Sequence, residues 1–407
     1  YTIILFMGYG MNYISILGST GSVGINSLSV ISSLTDKYEI YGLSCHKNIL
    51  LLQKQITIYK PKFAAITSKR AYEDFVKKNG KVYLGTKIIY GEKGLDLISS
   101  SEKVSTVIIA IVGFSCINPV VSAINHNKVI LIANKEILVS AGEMIISFLK
   151  TSKATLLPID SEHNALLQVI LSSGLEYKIN DKEYYKNKIK KLVLTASGGP
   201  FYDYKTSDLK NILPTDAIQH PTWDMGKKIS VDSATMMNKG LEIIEAKVLF
   251  NLDLENIDAI VHRQSKVHAL VEFFDGTVIA HMSKPDMKIP ISYALTYPER
   301  IYMHSNSDYD YSDLSFEKLS LDQFPCYRLS RNVAKLGKNT GLILNAANEI
   351  SVEYFLKQKI LYTDIPRIIE DLLEGSEIVS HDNIESILEN DVEIRRNTKE
   401  IIKTKYS

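Results

Sequence analysis

A short β-rich run, Tyr13 to Leu17, leads straight into Gly18-Ser-Thr-Gly21-Ser-Val-Gly24 and then into the helix-compatible Ile25-Asn-Ser-Leu-Ser-Val. Strand, glycine turn and helix in that order open a β-α-β unit, in which unpaired amides at the helix N-terminus can receive a pyrophosphate. The spacing is GxxGxxG rather than the commoner GxGxxG, and a glycine-rich turn alone also serves as a plain β-α connection. The downstream residues narrow the choice. Strand candidates at Tyr38 to Leu43, Phe63 to Thr67, Val104 to Val112 and Val129 to Ile132 are separated by helix-length segments. That alternation implies a parallel, doubly wound sheet.

The second strand indicates which dinucleotide to expect. NAD-binding folds place an acid about 20 residues beyond the glycines, on the ribose 2′-hydroxyl. Here the strand ends in Ser44-Cys45-His46-Lys47-Asn48, without an acid and with groups suited to a 2′-phosphate, so NADPH is favoured over NADH. The fifth strand ends at Ala133-Asn134-Lys135-Glu136. Polar residues at such strand ends face the ligand crevice, although the same run would also cap the next helix.

A chain of 407 residues exceeds one ordinary domain and suggests two or three. A net charge of +1 argues against a general nucleic-acid or membrane binder. Cys45, Cys116 and Cys326 lie far apart without CxxC spacing, which reads as free thiols in a reducing compartment. No apolar run reaches the roughly 18 to 20 residues of a membrane-spanning helix. After Pro158 the character changes, and beyond Phe324 helical patterns dominate. The expected architecture is α/β: a Rossmann-like NADPH-binding domain over 1–159, a central α/β catalytic domain over 160–298, a linker over 299–324 and a C-terminal helical domain over 325–407.

Asp160 and Glu162 stand two apart after the apolar Leu156-Leu157-Pro158-Ile159. An extended backbone would turn both to one side, and oxygen-only ligation of that kind suits Mg²⁺ or Mn²⁺. An isolated pair like this is more often a solvated turn, so a third carboxylate is needed. The run from His220 to Glu245, HPTWDMGKKISVDSATMMNKGLEIIE, offers one. From Ala234 its pattern is helical, with Met237, Leu241, Ile244 and Val248 as an apolar stripe and Asn238, Glu242 and Glu245 on a neighbouring face. Spacing leaves Glu242 and Glu245 both open. The bland alternative is an exposed face on which Lys239 and Glu242 form a surface pair. Ser230, Ser233 and Thr235 surround the helix start, where hydroxyls cap amides or meet a phosphate. Ser197-Gly198-Gly199-Pro200 is a second small turn able to approach an anion. His220 and His163 are each compatible with exposure or packing as well as with chemistry.

Taken together, GSTGSVG, AIVG, ANKE, PIDSEHNA, SGGPF, the long run after His220, HRQS and LNAANE resemble one family, 1-deoxy-D-xylulose 5-phosphate reductoisomerase. The resemblance runs in order from about residue 13 to beyond residue 355 and implies an enzyme of non-mevalonate isoprenoid biosynthesis. Such an enzyme rearranges and reduces its phosphorylated sugar to 2-C-methyl-D-erythritol 4-phosphate with NADPH and Mg²⁺ or Mn²⁺. The resemblance makes Asp160, Glu162 and Glu242 the metal ligands, choosing Glu242 over Glu245. Lys135 and His220 join them as catalytic residues. Lys135, Ser161, Glu162, Ser197, His220, Ser233, Asn238, Lys239 and Glu242 would contact substrate, with Ser197, Ser233, Asn238 and Lys239 nearest its phosphate. Thr20, Gly21, Ser22, Val23, His46, Lys47, Asn48, Asn134, Glu136 and Gly226 would contact NADPH. Trp223 and Met225 would ride on a closing loop.

Two stretches depart from the family pattern. His46 stands where many members have glycine, and Phe114-Ser-Cys-Ile117 replaces a small, glycine-containing stretch. The resemblance also implies a homodimer. The abundance of lysine, isoleucine, asparagine and tyrosine, with a start at Tyr1, favours a plastid of a eukaryote with an AT-rich genome, the alternative being a bacterial cytoplasm.

Overall fold

The computed structural model describes residues 11–205, 207–219, 226–301 and 309–406. The chain divides into two compact units. The first comprises Tyr1–Asn134, Ser147–Asp160 and Met287–Met303. Its sheet holds β1 (Asn12–Leu17), β2 (Tyr38–Cys45), β3 (Phe63–Ile66), β4 (Val82–Tyr83), β5 (Thr86–Tyr90), β6 (Val104–Ile109), β7 (Val129–Ile132) and β8 (Thr155–Pro158). The strand order is β4-β5-β3-β2-β1-β6-β7-β8. Every pairing is parallel except β4 with β5. The chain builds outward from β1 through β2 and β3, then returns to the other side of β1 with β6, so the reversal of strand order falls at the C-terminal ends of β1 and β6. That is where an open α/β sheet binds its ligand.

The glycines of the first turn are there for space. Gly18 has φ +88°, and a Cβ on it would lie 2.6 Å from the Ala110 carbonyl oxygen beyond β6. A Cβ on Gly24 would overlap the Gly18 carbonyl, so the helix Ser22–Ser32 can sit directly on the turn. Packed against that helix is a segment from much later in the chain, the helix Lys288–Thr296. Tyr38 donates its hydroxyl to the Leu295 carbonyl at 2.5 Å. The sequence reading missed the β4-β5 hairpin, whose two turn residues, Leu84 and Gly85, have φ +49° and +86°. It also ran the Val104 strand too long: β6 stops at Ile109, and Val112 is exposed.

The second unit comprises Lys135–Ile146, Ser161–Asp286 and His304–Ser407. Its sheet has the order β12-β11-β9-β10-β13, formed by β9 (Ile189–Ala196), β10 (Ile257–Val261), β11 (Val267–Phe273), β12 (Val278–Met282) and β13 (Glu317–Lys318). β9 and β10 are parallel and the other pairs antiparallel. The helix Ser161–Ser172 lies on β11 and β12. The helix Met237–Phe250 packs on Pro325–Leu336, which leads through Thr340–Leu356 to Asp364–Gly375 and Ile384–Ile401. Contact is closest at Gly240, where a Cβ would overlap the Ser330 hydroxyl. All three cysteines are buried free thiols. No described helix is long and apolar enough to cross a membrane.

Candidate active site

The second unit gathers charge where two helices begin. Glu162 sits in the first turn of the helix Ser161–Ser172, so the extended geometry expected of Asp160 and Glu162 is wrong: the helix starts at the residue after Asp160. The helix expected from Ala234 begins at Met237, and a separate helix precedes it. Lys227–Ala234 stops, Met236 takes the left-handed conformation at φ +60°, and Met237–Phe250 starts afresh. Its polar face is not solvated, because Lys239, Glu242 and Glu245 are 3%, 0% and 1% exposed. The surface-pair reading of Lys239 and Glu242 is therefore also wrong. The polar side chains of this helix meet Lys135, Glu162 and His163 rather than water.

Within this buried site the charges interlock. Lys135, the first residue of the helix Lys135–Thr151, donates from Nζ to Glu242 Oε1 and to Asn238 Oδ1, both at 2.9 Å. Lys239 Nζ reaches Glu162 Oε1 at 2.6 Å and also contacts Glu242 Oε2. Asn238 donates its amide to Glu242 Oε1, and Ser161 donates its hydroxyl to Glu162 Oε2 at 2.5 Å. Burial pushes the Glu162 carboxyl up, but the ammoniums of Lys239 and Lys135, with the Lys239 and Ser161 hydrogen bonds, hold it well below the usual carboxylate range. Burial likewise lowers Lys239, and Glu162 and Glu242 more than reverse it. Glu162 and Lys239 are each held in the charged form by the other, the arrangement in which buried charge is tolerated.

Glu245 faces elsewhere. Its Oε2 lies 3.3 Å from Nδ1 of His163, which is fully buried. The other ring nitrogen, Nε2, is 2.9 Å from the Glu242 carbonyl oxygen, which can only accept, so Nε2 carries a hydrogen. Burial pulls the imidazole down to about 4. His163 is thus a packed neutral ring that fixes the backbone of Glu242. Helical spacing left Glu242 and Glu245 equivalent; in the structure Glu242 shares Lys239 with Glu162, and Glu245 lies beside His163.

The two small-residue segments also meet. Gly199, at φ +69°, presses on the helix end so closely that a Cβ would lie 2.8 Å from the Ser233 carbonyl oxygen. Ser197 Oγ accepts from the Gly199 amide at 3.3 Å. The turn after β9 and the end of the helix Lys227–Ala234 therefore form one wall, with two glycines and two hydroxyl side chains.

In the first unit, Thr20, Gly21, Ser22 and Val23 form the turn and first residues of the helix Ser22–Ser32, whose N-cap Gly21 brings no side chain to the free amides. The turn is braced from below. Ser19 Oγ donates to the Ser44 carbonyl oxygen at 3.1 Å and pairs with Gln55 Oε1 at 2.7 Å, and the Gly18 amide donates to Ser44 Oγ at 2.8 Å. His46, Lys47 and Asn48 follow β2 as exposed side chains. His46 Nδ1 is 2.9 Å from Thr67 Oγ1, and Asn48 Oδ1 accepts from the Leu51 amide.

The family models for 1-deoxy-D-xylulose 5-phosphate reductoisomerase match residues 14–142, and those for its C-terminal domains match 156–250 and 282–397. A relative of that name from Thermoanaerobacter pseudethanolicus is 41% identical over 97% of this chain and 100% of its own length. Another, from Wigglesworthia glossinidia brevipalpis, is 43% identical over 97% and 100%. The chain belongs to the 1-deoxy-D-xylulose 5-phosphate reductoisomerase family. A solved reductoisomerase in complex with NADPH, fosmidomycin and magnesium superposes with a TM-score of 0.89 at 39% identity, covering 97% of this chain and 99% of that one. The Zymomonas mobilis reductoisomerase in complex with NADPH gives 0.86 at 32%, covering 97% and 100%.

For a reductoisomerase, the sequence reading left a neighbouring network unnoticed. Glu136, expected as a cofactor contact, receives Lys228 Nζ on Oε1 at 2.9 Å. The same ammonium lies 2.7 Å from Asp232 Oδ2. Lys228 and Asp232 stand at i,i+4 on one helix, but nothing in the spacing points to Glu136. Asn134 spends its side-chain amide on the carbonyls of Ile111 and Gly113, at 2.6 and 2.7 Å, which shapes the strand-end loop. Gly226 is exposed just ahead of the helix Lys227–Ala234. His220, Trp223 and Met225 lie outside the described residues.

Proposed function

We propose that Asp160, Glu162 and Glu242 hold the divalent cation with which this family member, using NADPH, converts 1-deoxy-D-xylulose 5-phosphate into 2-C-methyl-D-erythritol 4-phosphate. The observation that carries the assignment is that Glu162 and Glu242, on separate helices, share the Lys239 ammonium. Their oxygens are already arranged to receive positive charge, and hard carboxylate donors suit Mg²⁺ or Mn²⁺. Asp160, one peptide bond ahead of the Ser161 helix, is the third donor in this reading.

When bound, the cation polarises the substrate carbonyl and steadies developing negative charge on oxygen, and NADPH supplies the hydride that reduces the rearranged aldehyde. The protein's part is to hold and orient. Ser161 fixes Glu162 through its hydroxyl, and Asn238 and Lys135 fix Glu242. Ser197 and Ser233 on their shared wall, with Asn238 and Lys239, are the groups assigned to the phosphate. Lys239 must then exchange a carboxylate partner for the phosphate. His220 joins the substrate contacts, and Trp223 and Met225 the closing loop, on the resemblance alone. Binding energy from the non-reacting phosphate would serve closure.

Thr20, Gly21, Ser22 and Val23 at the helix start, His46, Lys47 and Asn48 after β2, and Asn134, Glu136 and Gly226 make up the proposed cofactor contacts. Exposed cationic and amide groups after β2, without an acid, support a 2′-phosphate there. We also infer a homodimer, which light scattering would test. The two relatives, from Thermoanaerobacter and Wigglesworthia, are bacterial, which supports a bacterial cytoplasm over the plastid that composition favours. Loss of NADPH absorbance with 1-deoxy-D-xylulose 5-phosphate, with and without Mg²⁺, tests the whole reading. Mg²⁺-dependent oxidation with release of the branched product is expected. NADPH binding without oxidation would overturn it.

A further inference from the structure

The LNAANE motif and the KKISVDSA stretch have no role in the proposed chemistry beyond Ser233, and the structure joins them. Asn348, fully buried in the helix Thr340–Leu356, donates from Nδ2 to Asp232 Oδ1 at 2.8 Å. Asp232, 1% exposed, turns its other oxygen to Lys228 Nζ at 2.7 Å. Lys228 spans from there to Glu136 Oε1 at 2.9 Å. Glu136 is the residue after Lys135, in the first turn of the same helix. The next hydrogen bond belongs to the site itself, Lys135 Nζ to Glu242 Oε1.

We propose that Lys228, fixed by Asp232 and Asn348, is a positioning residue that pins the start of the Lys135 helix and thereby aims Lys135 at Glu242 and Asn238. The chemistry fits this role. One ammonium between two carboxylates on different helices sets their separation, while the amide of Asn348 takes up the Asp232 oxygen that Lys228 leaves. An oriented helix start matters here because the helix does not run straight: Ala141, two turns on, has φ −138° and ψ 22°. The far part of the helix therefore cannot hold the direction of its first turn, and a side-chain tether at Glu136 supplies what a continuous rod would have given. Outer partners that orient a ligand group carry 10- to 100-fold of affinity or activity.

This inference rests on the reading of Lys135 as a site residue, and the experiment separates the two. Steady-state kinetics would be measured on the full chain with Mg²⁺ for Lys228→Met, Lys228→Gln, Lys228→Arg and Lys135→Gln. Lys228→Met should lower kcat by about 10- to 100-fold, a larger change than any in KM for NADPH, whose proposed contact Glu136 the same ammonium holds. Lys228→Arg, which keeps a cation between the carboxylates, should recover most of that loss. Lys228→Gln provides the neutral comparison if the Met variant does not fold. The proposal is overturned if the neutral variants keep parental kcat, if the loss lies in KM for NADPH, or if Arg does no better than the neutral residue. An active Lys135→Gln would instead sink the reading of Lys135 itself.

Discussion

Replacing Glu242 by Gln tests the centre of the site with little change in volume. The amide keeps one acceptor but loses the charge that Lys135 meets at 2.9 Å and that Lys239 contacts as well. Side chains here are almost fully enclosed, with 6% of Lys135, 4% of Lys239 and 1% of Glu242 exposed, so solvent does little to screen the change. Removing one partner of such a pair costs about 3–5 kcal/mol. Lys239 keeps Glu162 at 2.6 Å, which places the expected cost near the lower end, about 3 kcal/mol. For a unit of this size that is a fall in Tm of roughly 6–12 °C. Turnover should fall further than stability alone explains. Loss of outer partners of a ligand already costs 10- to 100-fold, so loss of a ligand should exceed about 100-fold at fixed Mg²⁺. NADPH affinity, followed by the cofactor's fluorescence, should not change. Mg²⁺-dependent turnover at the parental rate in a folded Glu242→Gln protein would refute the assignment. So would a loss of NADPH affinity in step with activity.

Gly18→Ala should cost about 1–2 kcal/mol from the left-handed backbone alone, with more from a Cβ 2.6 Å from the Ala110 carbonyl. A lower Tm and weakened NADPH binding are expected; a parental Kd for NADPH would contradict the role of the turn. Gly199→Ala should raise KM for the sugar phosphate while leaving NADPH binding intact, since its Cβ would press on the Ser233 backbone; unchanged KM would separate that wall from the phosphate. Acid sensitivity follows from Glu136, where burial raises the carboxyl but Lys228, the helix amides and Lys135 bring it below its ordinary value. Its folded pKa lies below the unfolded value of about 4.3. Its contribution is therefore present above that pH and lost as pH falls through the folded value. Melting curves between neutral and acidic pH should show the Lys228→Met protein less stable than the parent at neutral pH, with the gap narrowing as pH falls below about 4.3, and a gap that does not change with pH would argue against the ion pair.

The nucleotide-binding half was legible because its signals are local. A strand, a glycine turn and a helix within a dozen residues announce the first β-α connection, and the absence of an acid after β2 is visible without a structure. The β4-β5 hairpin escaped because Leu84 is an unusual occupant of a left-handed turn position. Met236 is another unusual occupant of the left-handed region, so the start of its helix at Met237 rather than Ala234 was not visible. Burial of Lys239 and Glu242 was illegible because the groups that meet them, Lys135, Glu162 and His163, lie about 80 to 110 residues away in the chain. Which of Glu242 and Glu245 meets Lys239 beside Glu162 and which meets His163 is a matter of rotation about one helix that periodicity leaves open by a turn. Lys228 carried no signal of its own, since its second carboxylate, Glu136, belongs to a helix about ninety residues earlier.

Gly240 sets a limit on how this site can vary. The helix that presents Asn238, Lys239 and Glu242 rests backbone-to-side-chain on the helix of Ser330, with no room for even a methyl group between them. The C-terminal helices are thus the bedplate to which the charged cluster is bolted, although none of their residues is assigned to substrate. A library that randomised positions 240 and 330 together should return only small residues at 240. Truncating the chain before Pro325 should cost the charged cluster its alignment even though every proposed ligand would remain.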